Sequence, residues 1–303
     1  MGKVAKLPVV EGAIAPAPIE LGGPLELLEP DEPLFDYVLE RYAPRAPQAG
    51  TLRSVNALYA AGACLGLEPQ ARALVERVRA ELGPSRTVFG LKHDDERGAL
   101  RSVELYFYDW RREHADLSLA RLVDVLSPFV RVDAREPKAL PWHMLSVELD
   151  LRELARPGAE VPAHVYVDMR SYALRGESMT FENIYTFHDP KLEIDDLRRR
   201  IDASVYVDTE RAGIGALLPP AMMECHKACF ANKRDGDALY FSRVPTRDVP
   251  PFLRSRHWPA SFVAWLQREA PRMAALSWDV GVDFTAGPEG RPRLRRSGLY
   301  GHF

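Results

Sequence analysis

Cysteine is scarce in this chain: Cys64, Cys225 and Cys229 are the three among 303 residues. Three are too few and too oddly spaced for a disulfide framework, so the sequence predicts a reducing, cytoplasmic setting. A surplus of either charge is missing too. The net charge is −3 and the pI is near 6.3, which leaves no electrostatic footprint for nucleic acid. No uncharged apolar run approaches the length of a membrane span. Met1 to Lys6 has no apolar core of a secretory signal, and Lys6 stands where a myristoylation motif has Ser or Thr. A phosphate-cradling glycine loop, a dinucleotide fingerprint and a Gly-x-Ser-x-Gly elbow are also absent. Their absence argues against nucleotide-driven transfer and serine hydrolysis.

What remains is a balance of 46% hydrophobic and 27% charged residues, that of a chain able to bury a core. Pro8, Pro16, Pro18, Pro24, Pro30 and Pro33 mark residues 1–33 as an extended arm. Leu25, Leu27 and Leu28 predict that it wraps the body of the protein. Residues 34–303 read as a single α+β domain. Periodicity places helices at 35–42, 51–65, 68–82, 117–129, 190–201, 214–231 and 248–273. Strands are expected at 87–93, 102–109, 143–150, 163–169, 178–188, 238–244, 276–285 and 292–302. One or two helices followed by a strand pair gives an ααββ cadence and a predominantly antiparallel sheet, without the regular βαβ alternation of a doubly wound fold.

The strands have an unusual second face. Val103, Leu105 and Phe107 alternate with Glu104, Tyr106 and Tyr108; Val165, Val167 and Met169 alternate with His164, Tyr166 and Asp168. Tyr240 and Ser242 share a face, as do Tyr300 and His302. If helices cover the aliphatic faces of a closed barrel, the tyrosines line its lumen beside Ser146, Glu148, Asp279 and Asp283. If the sheet is open, that face meets water or a partner.

Other constellations read as architecture. Cys225-His226-Lys227-Ala228-Cys229 places two thiols at i and i+4 of a buried helix, without the further ligands a zinc site needs. His93-Asp94-Asp95-Glu96 reads as a polar hairpin turn, and Lys233-Arg234-Asp235-Gly236-Asp237 as a solvated one. Asp189-Pro190 resembles an N-cap followed by proline at N1. Trp258 and Trp265, seven apart, read as core.

The cadence, the strand Glu104-Leu105-Tyr106-Phe107, the runs Leu145 to Arg152 and Leu239-Tyr240-Phe241, and the terminal strand from Arg293 to Tyr300 together resemble the ABBA-type prenyltransferases. Their cyanobactin, peptide-modifying branch is the nearest in pattern. The resemblance spans roughly residues 85–303. It implies a ten-stranded antiparallel barrel with helices outside, in which a prenyl diphosphate meets an aromatic or peptide acceptor. The π faces of Tyr106, Tyr166, Tyr240 and Tyr300 would shelter an allylic cation. Lys92, Arg101, Arg243 and Arg296 would hold the diphosphate, with His164 beside Tyr166 in the substrate-binding set. Glu104 would act as base or orient the acceptor. The lumen carboxylates raise Mg²⁺ as a bridge to the phosphates. A binding protein with the same cavity, or an open-sheet interaction module, are the alternatives.

Overall fold

The computed structural model describes residues 18–83, 87–109, 117–136, 140–156, 158 and 160–303. Residues 1–17 of the expected arm, including Pro8 and Pro16, lie outside the described residues. From residue 18 onward the arm does follow the body. Leu25 and Leu28 pack on the core, and Leu27 forms a β-bridge with Leu52 while its side chain is 48% exposed.

Ten strands close into an antiparallel barrel. They are β3 (Thr87–Asp94), β4 (Ala99–Tyr108), β6 (Met144–Asp150), β8 (Ala163–Val167), β9 (Arg170–Arg175), β10 (Ser178–His188), β11 (Ala228–Lys233), β12 (Gly236–Pro245), β13 (Ser277–Ala286) and β14 (Pro292–His302). Going round the wall, the order is β10-β11-β12-β13-β14-β3-β4-β6-β8-β9, and β9 pairs back to β10. Closure removes the open-sheet alternative, because no barrel edge or wet sheet face is left to present. Outside the barrel, β1 (Leu34–Phe35) pairs with β2 (Arg41–Tyr42), and β5 (Arg131–Val132) pairs in parallel with β7 (Glu160–Val161).

Strict alternation divides the buried residues into two groups. The outward side chains Phe89, Leu91, Val103, Leu105, Phe107, Val147 and Val165 join the helices in one aliphatic and aromatic core. Fully burying each such side chain is worth about 1.5–3 kcal/mol. Tyr106, Tyr108, Tyr166 and Tyr300 form a separate inner cluster with Val88 and Met144.

The helices are α1 (Val55–Cys64), α2 (Glu68–Leu82), α3 (Leu119–Leu126), α4 (Ile194–Asp202), α5 (Thr209–Ala212), α6 (Val249–Ser255) and α7 (Ala260–Glu269). In α2 the helical spacing of Ala71, Leu74, Val75, Val78 and Leu82 buries one stripe, Pro69 opens the first turn, and Gly83 ends the helix at φ +83°. In α3, Ser118 caps the N-terminus by accepting from the Arg121 backbone N–H at 3.1 Å.

Several sequence expectations fail for physical reasons. Residues 35–42 form the tight β1–β2 hairpin instead of a helix. The Asp36 carboxylate accepts the backbone N–H groups of Val38 and Glu40, and Leu39 takes a left-handed φ of +57°. Residues 214–231 are short 3₁₀ turns leading into β11. Cys225 and Cys229 therefore share no helical face, although both are buried as expected of free thiols.

Asp189 does not cap α4. It closes a turn by accepting from Lys191 and Leu192, and the helix begins only at Ile194. The long helix 248–273 breaks at His257, whose φ is +59°, just before Pro259. Strand β9 had no sequence signal; Met169 and Asp168, expected in β8, form its turn, where Met169 is 51% exposed.

Candidate functional site

A cavity of about 620 Å³ occupies the barrel lumen. Lys92, Arg101, Glu104, Tyr106, His164, Tyr166, Tyr240, Arg296 and Tyr300 all line it. They come from five strands; the period of two points most of them inward, while Arg101 reaches the cavity from the irregularity in the β3–β4 register between Ser102 and Leu100.

At mid-height the tyrosine rings form a belt. Tyr300 lies 6.1 Å from Tyr106 and 6.0 Å from Tyr240 between ring centroids, and Tyr166 lies 6.2 Å from Tyr185. Two of these rings rest against glycine. A Cβ on Gly281 would come within 2.3 Å of the Tyr240 ring, and one on Gly90 within 2.6 Å of Tyr300. Only a wall without side chains there lets the rings lie back. Burial raises the hydroxyls of Tyr106, Tyr166 and Tyr240 well above their usual range and pushes Tyr300 up to about 12. All four rings are therefore neutral near pH 7.

Lys92 and Glu104 meet beneath this belt at 3.2 Å. The ammonium donates to the Tyr300 hydroxyl at 2.7 Å and to the Tyr106 hydroxyl at 3.2 Å. Glu104 accepts from the Tyr106 hydroxyl and, at 2.6 Å, from Ser146. Burial by itself would raise the Glu104 carboxyl, but Lys92, His164 and these two hydroxyls hold it down to about 2. Burial by itself would lower Lys92, but Tyr300, Glu104 and Glu148 keep it protonated. The pair is thus a fixed dipole under the aromatic belt.

The carboxylates of the lumen are partly paired or hydrogen-bonded. Asp283 is bound by Lys233 at 2.8 Å, Glu182 lies 3.3 Å from His164, and Glu148 accepts the Ser102 hydroxyl. One end of the barrel, where β11 turns into β12 and β13 into β14, gathers arginines that make no ion pair. Arg101, Arg175 and Arg296 line the cavity there, and none has a carboxylate within 4.0 Å among the described residues.

The opposite end is closed in part by the β1–β2 hairpin. Tyr37 inserts edge-on to Tyr106 at 4.9 Å and to Tyr300 at 5.1 Å. The Asp279 carboxylate fixes it there, accepting from the backbone N–H of Tyr37 at 3.2 Å and of Arg243 at 2.9 Å. Burial and the neighbouring Asp36 carboxylate push Asp279 up to about 8, against those two donors and the Arg243 guanidinium.

Arg243, expected among the diphosphate-binding cations, sits apart from the other candidates. It does not line the cavity. Its left-handed φ of +56° accompanies an irregularity in the β12–β13 register between Phe241 and Val244. Its guanidinium is taken by Asp36 at 2.8 Å and Glu40 at 3.0 Å.

Sequence reasoning missed Tyr37, Tyr185 and Arg175 as lining residues. Tyr185 had a signal, since it shares a face with Asn183 and Phe187 along β10. Tyr37 had none, because only tertiary contacts bring the hairpin to the lumen. No group of three His, Cys, Asp or Glu side chains able to hold a metal occurs among the described residues. A Mg²⁺ ion arriving with phosphates needs only one or two protein carboxylates, and Glu148, Asp150 and Asp237 line the cavity without an ion pair among the described residues. Among the same residues, no helix is long and apolar enough to cross a membrane. No family model and no curated protein matches the chain.

Proposed function

We propose that this protein is a transferase that moves a prenyl group from an allylic diphosphate to an aromatic or peptide acceptor inside the barrel. The carrying observation is one lumen with neutral tyrosine faces at its centre and unpaired arginines at one end. An allylic cation needs electron-rich, dry walls, and a leaving diphosphate needs fixed positive charge. The ααββ cadence and the resemblance to ABBA-type prenyltransferases belong to this reading.

In the reaction the allylic C–O bond breaks and its electron pair leaves with the diphosphate, held by Arg101 and Arg296. The cation rests against Tyr106, Tyr166, Tyr240 and Tyr300 until an aromatic carbon of the acceptor forms the new C–C bond. The resulting arenium ion must lose a proton to restore aromaticity. It is so acidic that even a carboxylate held near 2 can accept that proton, so Glu104 serves as both orienter and base. Lys92 limits its basicity and fixes its direction.

Saturable binding of dimethylallyl or geranyl diphosphate to the purified protein, followed by prenylation of an indole-bearing acceptor, is the expected result. A protein that binds neither diphosphate, with or without Mg²⁺, sinks the transferase reading. One that binds without transferring to any aromatic acceptor is a binding protein with the same cavity.

A further inference from the structure

The lumen runs the length of the barrel. Lys227 stands immediately before the start of β11 and Lys233 closes it, yet both line the same cavity. At roughly 3.3 Å per residue they are ~20 Å apart along the wall. At the hairpin end the lining continues through Val38, Glu40, Phe187 and Ser242. Phe187 is 42% exposed and the Glu40 side chain 60%, so this end also reaches solvent beside the hairpin.

The two openings differ in chemistry. At the first, Arg101, Arg175 and Arg296 stand without ion-pair partners and suit an anion. At the second, Arg243 is already bound by Asp36 and Glu40, and Glu40 also lies 3.6 Å from His226. Lys227 also lines it, with no carboxylate within 4.0 Å among the described residues, and apolar groups stand around it. Phe187 sits on the rim. The β8–β9 turn carries Met169, held beside β10 by the Tyr185 N–H to Met169 carbonyl bond at 2.8 Å, and Leu192, 84% exposed, follows β10 at the same end. This apolar surface reaches beyond the lumen, so a ligand buried wholly inside would leave it uncovered.

We infer that the two substrates enter from opposite ends. The diphosphate enters at the arginine end, while the aromatic side chain of a peptide enters past Tyr37 at the hairpin end, with apolar flanking residues over Phe187, Met169 and Leu192. This rests on the transferase reading for its second substrate, but not for the existence of the second entrance. Opposite entry has a chemical advantage. The diphosphate and the acceptor then stand on different sides of the allylic carbon, and neither blocks the other's path.

Binding of two probes tests it without any turnover: inorganic diphosphate, and the peptide N-acetyl-Leu-Trp-Leu-amide, each titrated by calorimetry. Phe187→Asp should weaken the peptide about tenfold or more and leave diphosphate within about twofold, while Arg175→Glu should do the reverse. Unchanged binding of the second probe in each variant doubles as the control for folding. The inference is overturned if the peptide does not bind the unsubstituted protein, if Phe187→Asp leaves peptide affinity unchanged, or if it weakens both probes alike. The transferase reading fails separately: both probes bind as described, but dimethylallyl diphosphate yields no prenylated peptide.

Discussion

At one end of the barrel Arg101, Arg175 and Arg296 stand without carboxylates beside them; at the other, Arg243 is held on two sides by Asp36 and Glu40. In the sequence Arg243 and Arg296 look equivalent, each near a tyrosine on a barrel strand. The fold separates them by what it has already spent. Arg243 neutralises the hairpin that closes one end, so its charge is structural. Arg296 has no such task, so its charge is open to a ligand.

The sharpest way to test the region between the two ends is Glu104→Gln. Turnover should fall by roughly 10²–10⁴-fold, the usual worth of a general base, as read by single-turnover prenylation. Loss of the counter-charge to Lys92 should also lower the denaturation midpoint, so stability is measured alongside. Normal turnover in that variant would remove Glu104 from the chemistry and leave the contrast between the ends standing.

Arg243→Ala should act on the fold and not on the anion. It leaves Asp36, 5% exposed, without its partner, and about 3–5 kcal/mol of stability should be lost in urea unfolding. Diphosphate affinity should hold. A variant that is stable but fails to bind diphosphate would return Arg243 to the binding set.

The pair Arg101→Ala and Arg296→Ala should do the opposite. Diphosphate affinity should drop about 10- to 100-fold, roughly 1.4–2.8 kcal/mol, with little change in the unfolding midpoint. Equal loss of stability at both ends would break the comparison.

The effect that is smallest per step of the experiment is a pH slope. Asp279 is raised from 3.8 to about 8, so the native state binds its proton more tightly than the unfolded chain does. Its contribution to stability is complete below about pH 4 and is lost as pH rises through about 8, with a slope of at most about 1.4 kcal/mol per pH unit. Asp279→Asn should flatten that slope between pH 5 and pH 8, as read from urea midpoints. An unchanged slope would place the titrating group elsewhere.

The barrel was legible because alternation is a local property. Val103, Leu105 and Phe107 against Glu104, Tyr106 and Tyr108 state both faces of β4 before any neighbour is known. The ion pairing that assigns the arginines was not legible, since the register of distant strands decides it. The hairpin at 34–42 was misread for the same reason: Phe35, Val38 and Leu39 mimic helical spacing, while Asp36 and the docking of Tyr37 against three strands dictate the turn. Residues 228–231 read as the end of a helix because a six-residue strand beside proline-rich turns gives too short a pattern for either period to win. Tyr185 was within reach of the same alternation that found Tyr106.

Gly90, Gly281 and Gly298 each lie beneath a tyrosine ring. Ten strands fix the radius of the barrel, so its calibre changes only with the thickness of its lining. At these three positions the lining is a hydrogen atom. One methyl group on Gly281 would tip the Tyr240 ring into the bore without altering a charge, a strand or a hydrogen bond of the Lys92–Glu104 pair. The fold thereby carries a gauge that single substitutions can reset, so the width of the cavity can change while its charges stay in place.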